Sequence, residues 1–290
     1  MTPPAVRTET ENGVRSIVLC RAAQYNTITP QLRDELDAAI EAADADPEVR
    51  VILLRAEGPA FCAGYELHGS TRAQAQEHKG RARVWDSAAD FQMISRYVKT
   101  YLKLWYASKP TIAAVSGWCI AGGTDMILCA DIIIAGESAS FGYPPSRVWG
   151  TPTTAMWVYR LGFERAKRYL LTGDEITAPE AARIGLILEV VPDAELQSHA
   201  MGLARRMARV PLNQLQMLKL MCNQPAEQMG LQPSRMLGSL FDGIARHTQE
   251  GLDFVAHAQE TGFRQAVRER DEPFGDYGAG PRAKGRRTKP

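Results

Sequence analysis

Gly117-Trp118-Cys119-Ile120-Ala121-Gly122-Gly123-Thr124-Asp125 decides the reading of this chain, together with Phe61-Cys62-Ala63-Gly64-Tyr65-Glu66-Leu67 upstream. Each stretch follows a run of β-branched and apolar residues and puts small residues where a loop meets a helix. Two such turns brought together aim two backbone N–H groups at one oxygen, an arrangement that stabilises an oxyanion. Either stretch alone is equally well a tight turn; the pair points to acyl chemistry.

Around these stretches strands and helices alternate. Residues 14–20, 49–55, 111–115 and 131–135 read as strands. Thr29-Pro30 opens a helix, with threonine as N-cap and proline at the first helical position. Leu32, Leu36, Ala39, Ile40 and Ala43 then recur at helical spacing until Asp46-Pro47 ends it. Residues 82–107 carry a long helical pattern rich in Trp and Tyr, and 126–130 a short one. After Pro192 only helical patterns remain, over 195–209, 213–222 and 234–256. The expectation is an α/β body over residues 1–191 with mostly parallel pairing, then a helical region over 192–272. A basic tail over 273–290, with almost no apolar residues, is expected to be disordered.

Composition narrows the function classes. The chain has 290 residues, 45% of them hydrophobic and 23% charged, with a net charge of +1. Arg282, Lys284, Arg286, Arg287 and Lys289 put five positive charges in the last nine residues, leaving the rest at a net −4. This balance argues against a nucleic-acid partner. No apolar run is long enough to span a bilayer, and no secretory signal is visible. Five cysteines without a CxxC suit a reducing cytoplasm, and the five histidines show no ligand spacing, so no metal is expected.

Four segments in order give the chain a resemblance to the crotonase (enoyl-CoA hydratase/isomerase) superfamily over roughly residues 10–272. Residues 21–28 (Arg-Ala-Ala-Gln-Tyr-Asn-Thr-Ile) stand where the family has Asn-Arg-Pro-x-x-x-Asn-Ala-Leu. Residues 61–67 resemble its Phe-x-Ala-Gly-x-Asp-Leu, and 117–131 its Gly-x-x-x-Gly-Gly-Gly-x-Glu followed by Cys-Asp. Leu171-Thr172-Gly173 with 178–186 resembles its Thr-Gly…Ala-x-x-x-Gly-Leu-Val.

The resemblance implies a spiral of ββα units with a C-terminal helical oligomerisation region, a homotrimer or dimer of trimers. It implies an acyl-CoA thioester as substrate, with coenzyme A as part of that substrate and no other cofactor. By resemblance the oxyanion donors are Ala63 N–H and Gly122 N–H, and Asp125 stands at one of the two hydratase glutamates as acid/base. Pro145, in Phe141-Gly142-Tyr143-Pro144-Pro145, stands at the other, and Thr153 where some relatives place an aspartate. The implied substrate-contacting set is Ala22, Gln24, Ala63, Gly64, Tyr65, Glu66, Leu67, Trp118, Gly122, Pro144, Pro145 and Trp149. Gln24 replaces a common cation near the CoA phosphates, Glu66 orders the loop at the adenine pocket, and Arg147 is a candidate for an acidic acyl group. A lone acid/base with the hole suits isomerisation or retro-type cleavage better than hydration. The alternative is an acyl-CoA binding protein with a degenerate site. The aromatic run 85–106 hints at a bulky or cyclic acyl group.

Overall fold

The computed structural model describes residues 3–66 and 85–277. Among them, β1 (Val6–Glu11), β2 (Val14–Leu19), β3 (Val51–Ala56), β5 (Thr111–Val115), β7 (Ile132–Gly136) and β10 (Glu189–Val191) form one sheet in that order. All its neighbours are parallel except the β1–β2 hairpin. The short strands β4 (Ala60–Cys62), β6 (Trp118–Ile120), β8 (Ser140–Gly142) and β9 (Ile176–Thr177) form a second sheet.

The helices follow from the same alternation. They are α1 (Pro30–Ala45), α2 (Ser87–Tyr106), α3 (Gly122–Ile127), α4 (Met156–Leu161), α5 (Phe163–Leu170) and α6 (Ala178–Ile184), then α7 (Leu196–Met207), α8 (Leu212–Gln228), α9 (Leu231–Ala245), α10 (Gln249–Thr261) and α11 (Phe263–Asp271). Each turn of chain lays one strand in the large sheet, one in the small sheet, and then a helix: β3–β4–α2, β5–β6–α3, β7–β8–α4. This is the ββα spiral that the resemblance implies.

Local chemistry accounts for the elements. The Thr29 side chain accepts from Leu32 N at 3.1 Å, capping α1 with Pro30 at its first position. Leu32, Leu36, Ala39, Ile40 and Ala43 of α1 are buried, as their spacing predicts, each leucine contributing about 1.5–3 kcal/mol. Strand residues alternate between two cores. Ile17, Leu19, Ile52, Leu54, Ala113 and Val115 face the main core, while Val14, Val51, Leu53, Ile112 and Ala114 pack under Leu196, Ala200 and Ala204 of α7. With both faces covered, the inner strands β3, β5 and β7 are largely apolar.

Two boundaries differ from expectation. The hairpin strand β1 was not foreseen, because everything in it after Val6 is exposed and carries no apolar alternation. The packed chain also runs past residue 272 as far as Tyr277, whose hydroxyl donates to Gly173 O at 2.9 Å. The basic stretch beyond it lies outside the described residues, as does residue 82–84 of the expected long helix.

Candidate active site

The two glycine stretches meet. Strand β4 pairs with β6, Cys62 opposite Cys119, so each stretch leaves the small sheet beside the other. Gly64, at φ +88°, leaves only 3.0 Å between an added Cβ and Ala121 Cβ, and 3.7 Å to Gly122 N. A Cβ on Gly123 would lie 2.6 Å from Cys62 O, so glycine is required for this backbone approach. Ala121 itself sits at φ +52°, a strained value for alanine that turns the chain into α3.

The first expected donor is corrected. Ala63 N–H donates to Tyr25 O at 3.0 Å and is not free for a ligand. Ile28 N donates to Gly64 O and Glu66 N to Ile28 O, at 2.9 and 3.0 Å, so the amide between those groups, Tyr65 N–H, faces away from this bridge. Among the described residues neither Tyr65 N–H nor Gly122 N–H has an acceptor. The positive φ of Gly64 turns the chain between Ala63 and Tyr65, which is why the free amide comes two residues later than expected.

Asp125 lies in the first turn of α3 and is fully buried. Its Oδ2 accepts from Thr153 N at 2.9 Å and Thr153 Oγ1 at 2.8 Å; Oδ1 accepts from Thr154 Oγ1 at 3.3 Å. Burial pushes its carboxyl up to about 7, and the Asp242 charge adds to this, against the pull of the threonine donors. Thr153, a vacancy as a catalytic aspartate, is thus the partner that orients Asp125.

Aromatic hydroxyls surround this carboxyl. The Tyr65 ring covers Gly122, where an added Cβ would lie 2.7 Å from Tyr65 Cε2. Tyr65 meets Tyr97 edge-on at 5.4 Å between ring centres. The Tyr65 and Tyr101 hydroxyls are buried and near enough to polarise one another, yet neither makes a full hydrogen bond. Tyr143 donates to Thr151 O at 2.7 Å. Burial holds all three phenols well above their ordinary range, so they are neutral at physiological pH.

The remaining expected site residues divide. Ala22 and Gln24 form a short 3-10 turn beside Gly58, with Gln24 exposed, next to the Tyr25 carbonyl that holds Ala63. Glu66 is 3.9 Å from Arg21, half-exposed. Trp118 tilts towards Tyr25 at 6.3 Å. Leu67 lies outside the described residues. Pro144 and Pro145 open a 3-10 turn, and Pro145 O accepts from the Val148, Trp149 and Gly150 amides at 3.0, 2.9 and 3.1 Å. Pro145 therefore organises the loop that leads to Thr153.

Two readings are corrected. Trp149 is buried against Phe254 of α10 at 5.7 Å, in a separate cluster with Val255, Ala258 and Ala266, and does not line the Asp125 pocket. Arg147 does not await an acidic ligand. It pairs with Asp271 at 2.9 Å and with Asp276 at 2.8 and 2.7 Å, donates to Thr172 O, and lies 3.8 Å over the Phe274 ring. Of the aromatic run, Tyr97 and Tyr101 reach the pocket, while Trp85 stacks on His247 and Tyr106 is exposed.

One residue was missed. Asp242, on α9, brings a second carboxyl whose charge Asp125 feels; burial pushes it up to about 6. Its signal in the sequence is a lone acid flanked by Ser239 and Gly243, two of the three buried positions of α9. Among the described residues no cluster has the donors for a metal ion. Burial raises the thiols of Cys62, Cys119 and Cys129, so none is an activated nucleophile.

Comparison with known proteins shows the family and the fold. The Enoyl-CoA hydratase/isomerase family model matches residues 9–265. Enoyl-CoA hydratase EchA19 of Mycobacterium tuberculosis is 35% identical over 65% of this chain and 68% of its own. A hydroxycinnamoyl-CoA hydratase-lyase of Pseudomonas fluorescens is 29% identical over 70% of this chain and 72% of its own. A crystal structure of an enoyl-CoA hydratase from Mycobacterium smegmatis superposes with a TM-score of 0.88 and 45% identity, covering 95% of this chain and 96% of the other.

Proposed function

Because the chain belongs to the enoyl-CoA hydratase/isomerase family, we propose that it acts on an acyl-CoA thioester through an enolate held in the site just described. The observation that carries this is the pairing of two amides without an acceptor among the described residues, Tyr65 N–H and Gly122 N–H, with a buried carboxyl, Asp125, pushed up to about 7. The thioester oxygen gains charge when the α-carbon loses a proton or the β-carbon accepts a nucleophile. Each donor on that oxygen contributes on the order of 2.7–4 kcal/mol to the transition state. A carboxyl titrating near neutrality serves as base in one form and acid in the other. Neutral Tyr65 and Tyr101 hydroxyls add donors without adding charge.

Asp125 alone can carry a proton between the α and γ carbons of an enoyl chain, which is isomerisation. Hydration asks for a second group to activate water. The free cysteines fit a reducing cytoplasm. The apolar side chains exposed on α8 and α9 fit a homo-oligomer, a trimer or dimer of trimers.

The test offers crotonyl-CoA and a 3-enoyl-CoA to wild type and to Asp125→Asn. Turnover by wild type, lost about 100-fold or more in the variant, supports the reading. Tight acyl-CoA binding without turnover of any substrate overturns it in favour of a binding protein, a reading favoured by the proline at position 145. Equal rates in the two proteins remove Asp125 from the mechanism.

A further inference from the structure

The titratable group left unused is the Asp242 carboxyl, whose side chain is 13% exposed. Helix α9 docks on the loop 150–154 at fixed register: Thr151 Oγ1 donates to Gly238 O at 2.9 Å, and Ser239 Oγ to Thr153 O at 3.2 Å. Gly238 has no room for a side chain, since an added Cβ would lie 2.5 Å from Pro152 O. One helical turn further on, Asp242 comes to the start of this loop, where its Oδ1 lies 3.7 Å from the Cβ position of Gly150 and beside the Thr151 amide. The end of the same loop holds Asp125 through Thr153 and Thr154. Five residues of loop therefore join a buried carboxyl from the α/β body to a largely enclosed one from the C-terminal helices.

We propose that Asp242 is the second acid/base of the site, acting with Asp125 across this loop in place of the carboxyl absent at position 145. The inference rests on the acyl-CoA reading above.

The groups facing Asp242 set its role. From its own helix, Arg246 Nε lies 3.3 Å away; that guanidinium also holds Asp90 of α2 at 2.8 Å, whose negative charge opposes the Asp242 anion. From α3 comes Asp125, and from the segments on either side come Tyr65 and Tyr143. Arg246 favours the charged form of Asp242, while among the described residues no cation pairs with Asp125. Two buried like charges do not ionise together readily, so near neutrality the pair shares one proton. The Arg246 guanidinium beside Asp242 favours the anion there, so that proton resides on Asp125.

This ordering assigns the steps of hydration. The Asp242 carboxylate takes a proton from water as the water oxygen bonds to the β-carbon. The π electrons move to the enolate, whose oxygen rests on the Tyr65 and Gly122 amides. The Asp125 carboxyl then gives its proton to the α-carbon. One water is added, Asp242 ends protonated and Asp125 ionised, and transfer of one proton through solvent restores the pair.

The experiment measures kcat and KM for crotonyl-CoA hydration against pH, and α-proton exchange of butyryl-CoA in D2O, for wild type, Asp242→Asn, Asp242→Glu and Arg246→Met. The expected result for Asp242→Asn is a kcat about 100- to 10,000-fold lower with KM little changed and the acid limb of the profile lost. Exchange, which needs only Asp125, persists. Arg246→Met retains turnover, and its acid limb moves to higher pH because a cation that favours the Asp242 anion is gone; a purely structural ion pair would not move this limb. Should Asp242→Asn not fold, the Arg246→Met limb and partial activity in Asp242→Glu decide. Hydration by wild type with an unchanged profile in these variants overturns this inference alone. Absence of any turnover in wild type overturns the acyl-CoA reading with it.

Discussion

Thr153 gives both its amide and its hydroxyl to one oxygen of Asp125, at 2.9 and 2.8 Å. These bonds favour the carboxylate and oppose the burial that raises it. Replacing Thr153 by valine keeps the shape and the amide but deletes the hydroxyl. Asp125 should then titrate higher still. A hydrogen bond to a charged group contributes about 1.5–3 kcal/mol, so steps needing the Asp125 carboxylate should slow by about tenfold or more at pH 7. The check is a pH profile of α-proton exchange. It should show the limb moved upward and the rate recovering at high pH. A limb left in place would mean that Thr153 does not tune this group.

The same burial makes Asp125 a cost to stability. Its carboxyl is raised from 3.8 to about 7, so the native state holds the proton more tightly than the unfolded chain does. Stability is full below about pH 4 and is lost as pH rises through about 7. At 1.36 kcal/mol per pH unit the loss approaches about 4 kcal/mol, an upper figure. Asp125→Asn should therefore melt above wild type at pH 8, and the gap should close by pH 4. Thermal melts across this range test it; a gap independent of pH would place the effect elsewhere.

The sequence made some of this legible for physical reasons. The α1 cap and its buried stripe are local, so Thr29-Pro30 and five apolar positions suffice. The glycine stretches are legible because backbone approach leaves no substitute for glycine at positions 64 and 123. The β1–β2 hairpin did have a local mark: Asn12 and Gly13 both take positive φ, 50° and 77°, as a two-residue primed turn requires. The small sheet has no mark, because strands of two or three residues are too short for a period. The free Tyr65 amide depends on which way a peptide faces, and Asp242 on where α9 docks. Both are tertiary facts.

Two adjacent glycines should respond differently to alanine. At Gly122 the new Cβ meets the far ends of side chains, Tyr65 Cε2 at 2.7 Å and Ile28 Cδ1 at 2.9 Å, which can move. Gly122→Ala should fold but displace the Tyr65 ring across the donor pair, lowering kcat about 100- to 1,000-fold, as for loss of one oxyanion donor. At Gly123 the Cβ meets Cys62 O at 2.6 Å, backbone that cannot yield. Gly123→Ala should lose stability first. Urea unfolding beside turnover separates the two; equal stabilities would contradict the packing argument.

Arg147 should matter for folding and not for acyl selectivity. Its side chain is 2% exposed and holds Asp271 and Asp276, themselves 8% and 17% exposed. Arg147→Met leaves those carboxylates without their cation, at a cost of about 3–5 kcal/mol. The midpoint in urea should fall, while relative rates on neutral and acidic acyl-CoA substrates should stay the same. A change in that ratio would return Arg147 to the acyl pocket.

The outer face of the C-terminal helices should govern assembly and, through it, catalysis. Met217, Leu220 and Met221 of α8 and Leu237, Leu240, Phe241 and Ile244 of α9 are all exposed, at helical spacing. Such stripes mark association surfaces, and a second copy of the chain is the proposed occupant. Met221→Glu with Leu237→Glu should reduce the mass in sedimentation to that of a single chain. Helix α9 turns Ser239 and Gly243 inward to the loop and to α2, on the side opposite Leu237 and Phe241. An α9 freed from its neighbour should hold the loop 150–154, and so Asp125, less firmly. Hydration should fall with the mass, and both should recover together in a single substitution that restores association; a monomer with full activity would separate assembly from the site.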